Sequence, residues 1–313
     1  MTPVKRRYLV LGGSGFIGSH VVLRLAELGH RVRVLDRAEL PAELHQPGIE
    51  YRRVDFADIP SVAEGLADVD CVLHLVSTTV PGTANLDPIA DVEGNLIGSI
   101  RLLQQMREVD IKRLVFLSSG GTIYGDPTIT PVPEEHCIAP LSSYGIVKAS
   151  IEAYLSMFAR LSDFRNLVLR VSNPYGARQG HVGVQGVIPT FFQRIREDRP
   201  IRIWGDGSAV RDYLYIDDLA EAIVAATTRE IVGTFNIGSG VGTSLADLLS
   251  LIARVSGRTP HIEYVPSRGF DVRSIVLDIS KAHRVFQWQP QVLLEEGCRR
   301  YWEWLERESG SVD

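Results

Sequence analysis

LVLGGSGFIGSHVVLRLAELGHRVRVLDR, residues 9–37, is the stretch on which the fold turns. A short apolar run leads into Gly12, Gly15 and Gly18 at three-residue spacing. An amphipathic helical pattern follows, and a second apolar run ends at Asp36. A tight turn and a close backbone approach to a pyrophosphate both call for residues without Cβ. The helix start at Gly15, Phe16 and Ile17 then offers free N–H groups and a positive dipole end to phosphate. Asp36 lies close to the offset at which a carboxylate accepts from the adenosine ribose hydroxyls. A carboxylate there repels a 2′-phosphate and favours NAD. Arg37 beside it suits a 2′-phosphate and keeps NADP open. A glycine turn that merely packs helix on strand is the plain alternative.

Outward from this stretch, strand and helix patterns alternate. Strands are expected at 8–12, 31–36, 49–54, 71–76, 113–118 and 166–172, and helices at 16–28, 60–67, 88–109 and 142–160. Near-continuous apolar strands separated by helices predict a parallel sheet covered on both faces. The fold class is therefore α/β: a Rossmann-type doubly wound parallel sheet over 1–173 and a smaller C-terminal α/β lobe over 174–313. In the lobe, helices are expected at 187–197, 217–228, 244–256 and 293–308, and short strands at 201–204, 234–237 and 261–265. The segment 210–230 is expected to pack back on the first domain.

The 313 residues are 45% hydrophobic, enough for a large core, and the formal charge of −5 argues against nucleic acid or an anionic membrane as partner. No apolar run approaches the roughly 20 residues that span a bilayer. The amino-terminal apolar stretch is too short for a signal peptide. Three scattered cysteines suit a reducing, cytoplasmic setting, with Cys71 read as a buried strand residue. The eight histidines show no metal spacing, so no metal is expected; His74 reads as a packed strand residue and His181 as exposed.

SSYGIVKASIEAYL, residues 142–155, carries Tyr144 and Lys148 four apart, on one helix face. Free tyrosine has a pKa of about 10. A nearby ammonium and the positive nicotinamide of NAD would both favour the phenolate and make it a base. FLSSGGTIYG, residues 116–125, is a strand running into small residues and hydroxyls, of which Ser119 and Thr122 are the candidates for catalysis.

With these motifs in place, the chain resembles the extended short-chain dehydrogenase/reductases, and among them the nucleotide-sugar 4-epimerases of the UDP-galactose 4-epimerase type. GGSGFIGSH is similar to the cofactor loop and YGIVK to the tyrosine–lysine pair. RVSNPYGARQ, IPTFFQRIREDRPIRIWGDGSAVRDYLYIDDLAEAI, FNIGSG and SRGFDVRSIVLDISKAHRVFQWQP continue in register over nearly the whole chain. The resemblance implies NAD as cofactor and a UDP-sugar as substrate. It places Asp55 and Phe56 on the adenine, Leu75, Val76 and Ser77 along the cofactor, and Asn95 on the helix beside it. Asn173, Arg211 and Arg268 would hold the substrate diphosphate. Trp204 would flank the uracil, or else pack in the lobe core, and Asp271 would bind the ribose. Gly186 stands where relatives have a sugar- or phosphate-contacting asparagine, with Val187 beside it in the substrate site. The glycine-rich GHVGVQG (180–186) is expected to loop over the substrate. Ile275 falls where side-chain bulk limits the sugar C2 substituent, and Arg178 is suited to a uronate carboxylate. These leave UDP-glucose, UDP-N-acetylglucosamine and UDP-glucuronate as candidates. The helices at 88–109 and 142–160 suggest a homodimer.

Relatives place their catalytic serine in register with Gly120, which has no hydroxyl. Thr122 is the first substitute, Ser119 the second, and a water in the space at Gly120 the third. Three other functions compete. Nucleotide-sugar 4,6-dehydratases and decarboxylases resemble this chain but carry an acid where Gly121 and Thr122 stand. A net reductase and a non-catalytic NAD-binding regulator are the others.

Overall fold

The computed structural model describes residues 5–180, 186–266 and 272–309. Six strands in the first half are parallel: β1 (Arg7–Leu11), β2 (Arg31–Asp36), β3 (Ile49–Arg53), β4 (Cys71–His74), β5 (Arg113–Ser119) and β6 (Arg165–Val171). Their spatial order is β3-β2-β1-β4-β5-β6. The order reverses at β1, and a ligand crevice forms where the chain leaves the sheet in opposite directions. Successive side chains alternate faces. Tyr8, Val10, Val32, Val34, Leu167 and Leu169 enter one core cluster, and Leu9, Leu11, Leu35, Leu114, Phe116 and Val168 enter another. Both faces of the central strands β1, β4, β5 and β6 are thus buried, which is why they read as mostly apolar runs, while β3 (IEYRR) at the sheet edge is partly exposed.

Helix α1 (Phe16–Glu27) covers the first face. The second is covered by α2 (Ile59–Gly65), by α3 (Pro88–Asp91) with the π-helical turn Val92–Ile97 and α4 (Gly98–Glu108), and by α5 (Ser143–Ser162). The expected single helix at 88–109 is therefore interrupted by a π turn, which the apolar spacing does not reveal.

Beyond β6 come β7 (Asn173–Tyr175), α6 (Val187–Arg196), β8 (Ile201–Trp204), β9 (Val210–Tyr215) and α7 (Ile216–Thr228). The strand expected at 234–237 in the lobe instead forms β10 (Gly233–Ile237), which pairs with β6 and becomes the seventh strand of the main sheet. Helix α7 returns to pack on α1. The chain ends with β11 (Gly242–Ser244), α8 (Leu245–Ser256), β12 (Ile262–Val265), β13 (Ser274–Ile275), α9 (Ser280–Phe286) and α10 (Leu294–Ser309). Strand β9 is the axis of the lobe, pairing antiparallel with β11 and parallel with β13 and β7. The pattern VRDYLY gives little sign of this strand, because Arg211 faces the cleft and the polar Asp212 is buried within the lobe.

Asp212 pins β9. Its buried carboxylate accepts from Ser239 N and Oγ, both at 2.7 Å, and from Gly240 N and Leu277 N, both at 3.2 Å. Burial still pushes its pKa up, and the hydrogen bonds pull the other way.

Candidate active site

One cleft of about 1570 Å³ runs from the glycine turn to the lobe. A single small-molecule pocket holds about 300–1,000 Å³, so this volume has room for a cofactor and a second ligand together. At the cofactor end Gly12 has φ +82°, and a Cβ there would lie 2.8 Å from Val76 N. A Cβ on Gly18 would stand 2.1 Å from Gly12 O, so only glycine lets α1 seat on the turn. Gly15, the N-cap of α1, differs: its Cβ would meet only Gly12 O, at 3.3 Å. The space it leaves is the approach to the helix amides, a cradle for phosphate. Asp36 accepts from Ser14 N and Ala38 N at 3.0 Å each, which fixes the carboxylate at the end of β2. Phe16, Ile17, Arg37, Asp55, Phe56, Leu75, Val76 and Ser77 line the same end. These residues fit a dinucleotide.

Tyr144 and Lys148 lie on the cleft floor, one turn apart on α5. Ser142 caps this helix by accepting from Gly145 N. A Cβ on Gly145 would come 2.8 Å from Thr122 O, so the glycine lets the first turn of α5 press against the loop after β5. Lys148 Nζ donates to Leu117 O at 2.9 Å and sits 5.5 Å from the Tyr144 ring centroid. The expected lowering of the tyrosine pKa by this lysine is not what the protein alone produces. Burial, with Asp91 adding to it, pushes Tyr144 up to about 12. Burial also pulls Lys148 down to about 8, against the opposing charges of Asp91 and Glu152.

The hydroxyl loop corrects one expectation. A Cβ on Gly120 points into the protein, 2.6 Å from Leu277 Cδ1 and 3.1 Å from Arg170 O. Gly120 therefore offers neither a side-chain position toward the cleft nor space for a bridging water. Its neighbours Ser119, Gly121 and Thr122 line the cleft instead, and a Cβ on Gly121 would be in open space 4.0 Å from the Asn173 amide. Thr122 Oγ1 is buried without a hydrogen-bond partner among the described residues. Thr122 lines the cleft, and its hydroxyl is the unsatisfied buried polar group of this loop.

Asn95 does not line the cleft. Its Oδ1 accepts from Thr78 N at 2.8 Å, and its Nδ2 donates to Asp91 Oδ1 at 2.9 Å and Thr79 Oγ1 at 3.1 Å. It therefore shapes the loop after β4, of which Ser77, Thr78, Thr79 and Val80 do line the cleft. The π turn brings it there, a common use of such turns. His74 is buried, with Nε2 2.7 Å from Ser99 Oγ, as a packed residue would be.

At the far end Asn173, Val187, Trp204 and Arg211 line the cleft, with Asn173 Nδ2 donating to Asp212 O at 3.0 Å. Arg273 and Gln179 join them without having been singled out in the sequence. Ile275 is not in the cleft: it is 1% exposed, in a core with Ile123, Tyr124, Val132 and Leu277. Arg178 is outside it too, at φ +65° with a buried Nη1 that has no partner among the described residues. Arg268, Asp271 and His181 lie outside the described residues, as does most of the 180–186 loop. Among the described residues no three His, Cys, Asp or Glu side chains converge as a metal site.

Comparison with known proteins agrees with this geometry. Residues 8–238 match the model of the NAD dependent epimerase/dehydratase family. A putative UDP-glucose 4-epimerase of Methanocaldococcus jannaschii is 36% identical over 95% of this chain and 97% of its own. The Thermotoga maritima UDP-glucose 4-epimerase, solved with UDP-glucose, superposes with a TM-score of 0.91 at 36% identity, covering 97% of this chain and 99% of that one. The Thermus thermophilus UDP-glucose 4-epimerase, solved with NAD, gives 0.89 at 34% identity, covering 96% and 99%. A cleft with a dinucleotide cradle, a tyrosine–lysine floor and a second-ligand end, together with near full-length likeness to these enzymes, places the chain in the NAD-dependent epimerase/dehydratase family.

Proposed function

We propose that this enzyme inverts C4 of a UDP-hexose through a transient 4-keto sugar. The observation that carries the reading is the continuity of one cleft from the Gly15 cradle, past Tyr144, to Arg211 and Trp204. Bound NAD supplies a ring that accepts and returns hydride, so it ends each cycle unchanged. Tyr144 takes the proton of the C4 hydroxyl as C4 is oxidised and gives it back on reduction. Lys148, fixed by Leu117 O, offers its remaining N–H donors to the nicotinamide ribose. Thr122 Oγ1 is the hydroxyl best prepared to bond the sugar O4. Asn173 and Arg211 hold the diphosphate, and Trp204 the uracil. Anchoring by the nucleotide leaves the keto sugar free to turn and present its other face.

The candidate substrates are UDP-glucose, UDP-N-acetylglucosamine and UDP-glucuronate. With Ile275 in the core and Arg178 outside the cleft, neither residue supports a choice among them. In this reading 1–173, completed by β10, is the cofactor domain and the rest of 174–313 mainly the nucleotide-sugar lobe, and the enzyme works as a homodimer. The test is turnover of the three nucleotide sugars, followed by NMR. Interconversion of C4 epimers without change in cofactor absorbance supports the reading, and stoichiometric cofactor consumption would make the enzyme a reductase. Tyr144→Phe should abolish turnover and leave nucleotide-sugar binding nearly intact.

A further inference from the structure

Asp91 has no part in the chemistry above, yet it is completely buried. Three segments converge on its carboxylate. Oδ1 accepts from Thr79 Oγ1 at 2.6 Å and from Asn95 Nδ2 at 2.9 Å, and Oδ2 accepts from Ser143 Oγ at 2.7 Å. These donors belong to the loop after β4, the π turn and the first turn of α5. The loop makes a second tie, because Asn85 Oδ1 accepts from Ser143 N at 2.8 Å. Ser143 immediately precedes Tyr144.

The charges around Tyr144 are few. Burial raises the Tyr144 pKa, and the charge of Asp91, at the end of α3, adds to it. Lys148 lies on the next turn of α5, its ammonium tied to Leu117 O. Glu152, a turn further on, is paired with Arg170 at 2.7 Å. His74 approaches from β4, and burial keeps it neutral. The other charges lining the cleft, Asp36, Arg37, Asp55, Asp206, Arg211 and Arg273, stand on its cofactor and lobe walls.

We propose that Asp91 is a positioning residue: its buried carboxylate clamps the loop after β4 and the π turn to the first turn of α5, and so sets where Tyr144 stands and the charge it meets. The inference rests on the reading of Tyr144 as the acid–base group.

The test is a titration of the Tyr144 phenolate by ultraviolet absorbance, with Tyr144→Phe as the subtracted reference, in enzyme loaded with NAD or with NADH. In the wild type with NADH the midpoint should lie above that of free tyrosine, and NAD should lower it. Asp91→Asn keeps the shape and removes the charge, so its midpoint with NADH should fall by about one unit. Ser143→Ala removes part of the clamp and not the charge; kcat should drop about tenfold or more with the midpoint unmoved. A folded Asp91→Asn with an unmoved midpoint overturns the proposal, and so does Ser143→Ala with wild-type kcat. If Asp91→Asn does not fold, the wild type decides: a midpoint with NADH at or below that of free tyrosine overturns the proposal. Full turnover by Tyr144→Phe would instead sink the reading of Tyr144 itself, a result distinguishable from all of these.

Discussion

The Lys148 ammonium donates to the Leu117 carbonyl at 2.9 Å, which commits one of its protons to strand β5. Two protons remain for a ribose diol. The ammonium also lies 4.8 Å from the Phe116 ring centroid, so its position is fixed from the sheet side. Lys148→Met should weaken retention of NAD and lower kcat by about 10²–10⁴-fold. Lys148→Arg should not restore activity, because a planar fork cannot reproduce the bond to Leu117 O in the same space. NAD content after gel filtration and kcat at saturating NAD measure both effects. Normal values for Lys148→Met would remove the lysine from the site.

The second prediction concerns the hydroxyls. Thr122 Oγ1 is buried and unpaired, with its backbone carbonyl against the first turn of α5. Thr122→Val keeps the shape and removes only the hydroxyl. It should lower kcat by about 10–100-fold, the worth of one hydrogen bond of about 1.5–3 kcal/mol to a charged or charge-developing oxygen. Ser119→Ala should cost less. Parallel kcat measurements on the two variants decide, and the reverse order would assign the role to Ser119.

Gly120→Ser is the third. By position in the motif, a serine at 120 looks like the restoration of a lost catalytic group. The structure says the opposite, since its Cβ would press on Leu277 and on the Arg170 carbonyl. The variant should lose about 1–3 kcal/mol of stability, as overpacked core positions do, and gain no activity. A urea melt with an activity assay shows both, and a more active Gly120→Ser would mean that the loop can re-register.

How far the sequence reaches is clear from these same residues. The glycine spacing, Asp36 and the Tyr144–Lys148 pair are local patterns whose chemistry depends on neighbours in the chain, and they can be read directly. The central strands β1, β4, β5 and β6 were also legible, because burial on both faces leaves a mostly apolar run. What escaped depends on contacts between distant segments. The direction of the absent Gly120 side chain is fixed by Leu277, more than 150 positions away. The place of Ile275 is fixed by Ile123 and Val132. Strand β10 joins β6, which lies more than 60 positions earlier in the chain. Asp91 had one local clue, its spacing of four from Asn95 on a helix, but its ties to Thr79 and Ser143 are tertiary.

The fourth prediction is association. On α5, Ile146, Tyr154, Met157 and Leu161 are exposed, and Ile89 and Ile97 are exposed on the neighbouring helical run. Ile151, Leu155 and Phe158, on the other side of α5, are buried against the sheet. An apolar strip on two adjacent helices is the kind of patch that a second subunit covers. The wild type should run as a dimer in light scattering, and the double variant Met157→Lys with Leu161→Lys should shift it to monomer. A monomeric wild type would leave the strip without this role.

The last prediction follows from His74. Ser99 Oγ donates to Asn95 O at 2.6 Å, so its single proton is taken, and His74 Nε2 must be the donor in the 2.7 Å contact. Nδ1 is then the unprotonated nitrogen, and it is buried without a partner among the described residues. The ring lies between Phe56 and Phe116, at 5.1 and 5.4 Å. Burial, helped by the Lys148 charge, pulls its pKa down to about 3. The unfolded chain protonates histidine near about 6.5. Between these values the unfolded state binds the extra proton, so stability is fully present above about 6.5 and is lost as pH falls toward 3. The slope from one such group is about 1.4 kcal/mol per pH unit. His30, whose pKa burial also lowers, adds in the same direction, and only a comparison of variants isolates His74. His74→Leu should be less stable at neutral pH, with Ser99 left without its partner. Its urea stability between pH 6 and 4 should fall less steeply than that of the wild type, by about one proton's worth. Parallel pH profiles for the two proteins would mean that His74 takes up its proton in the folded state.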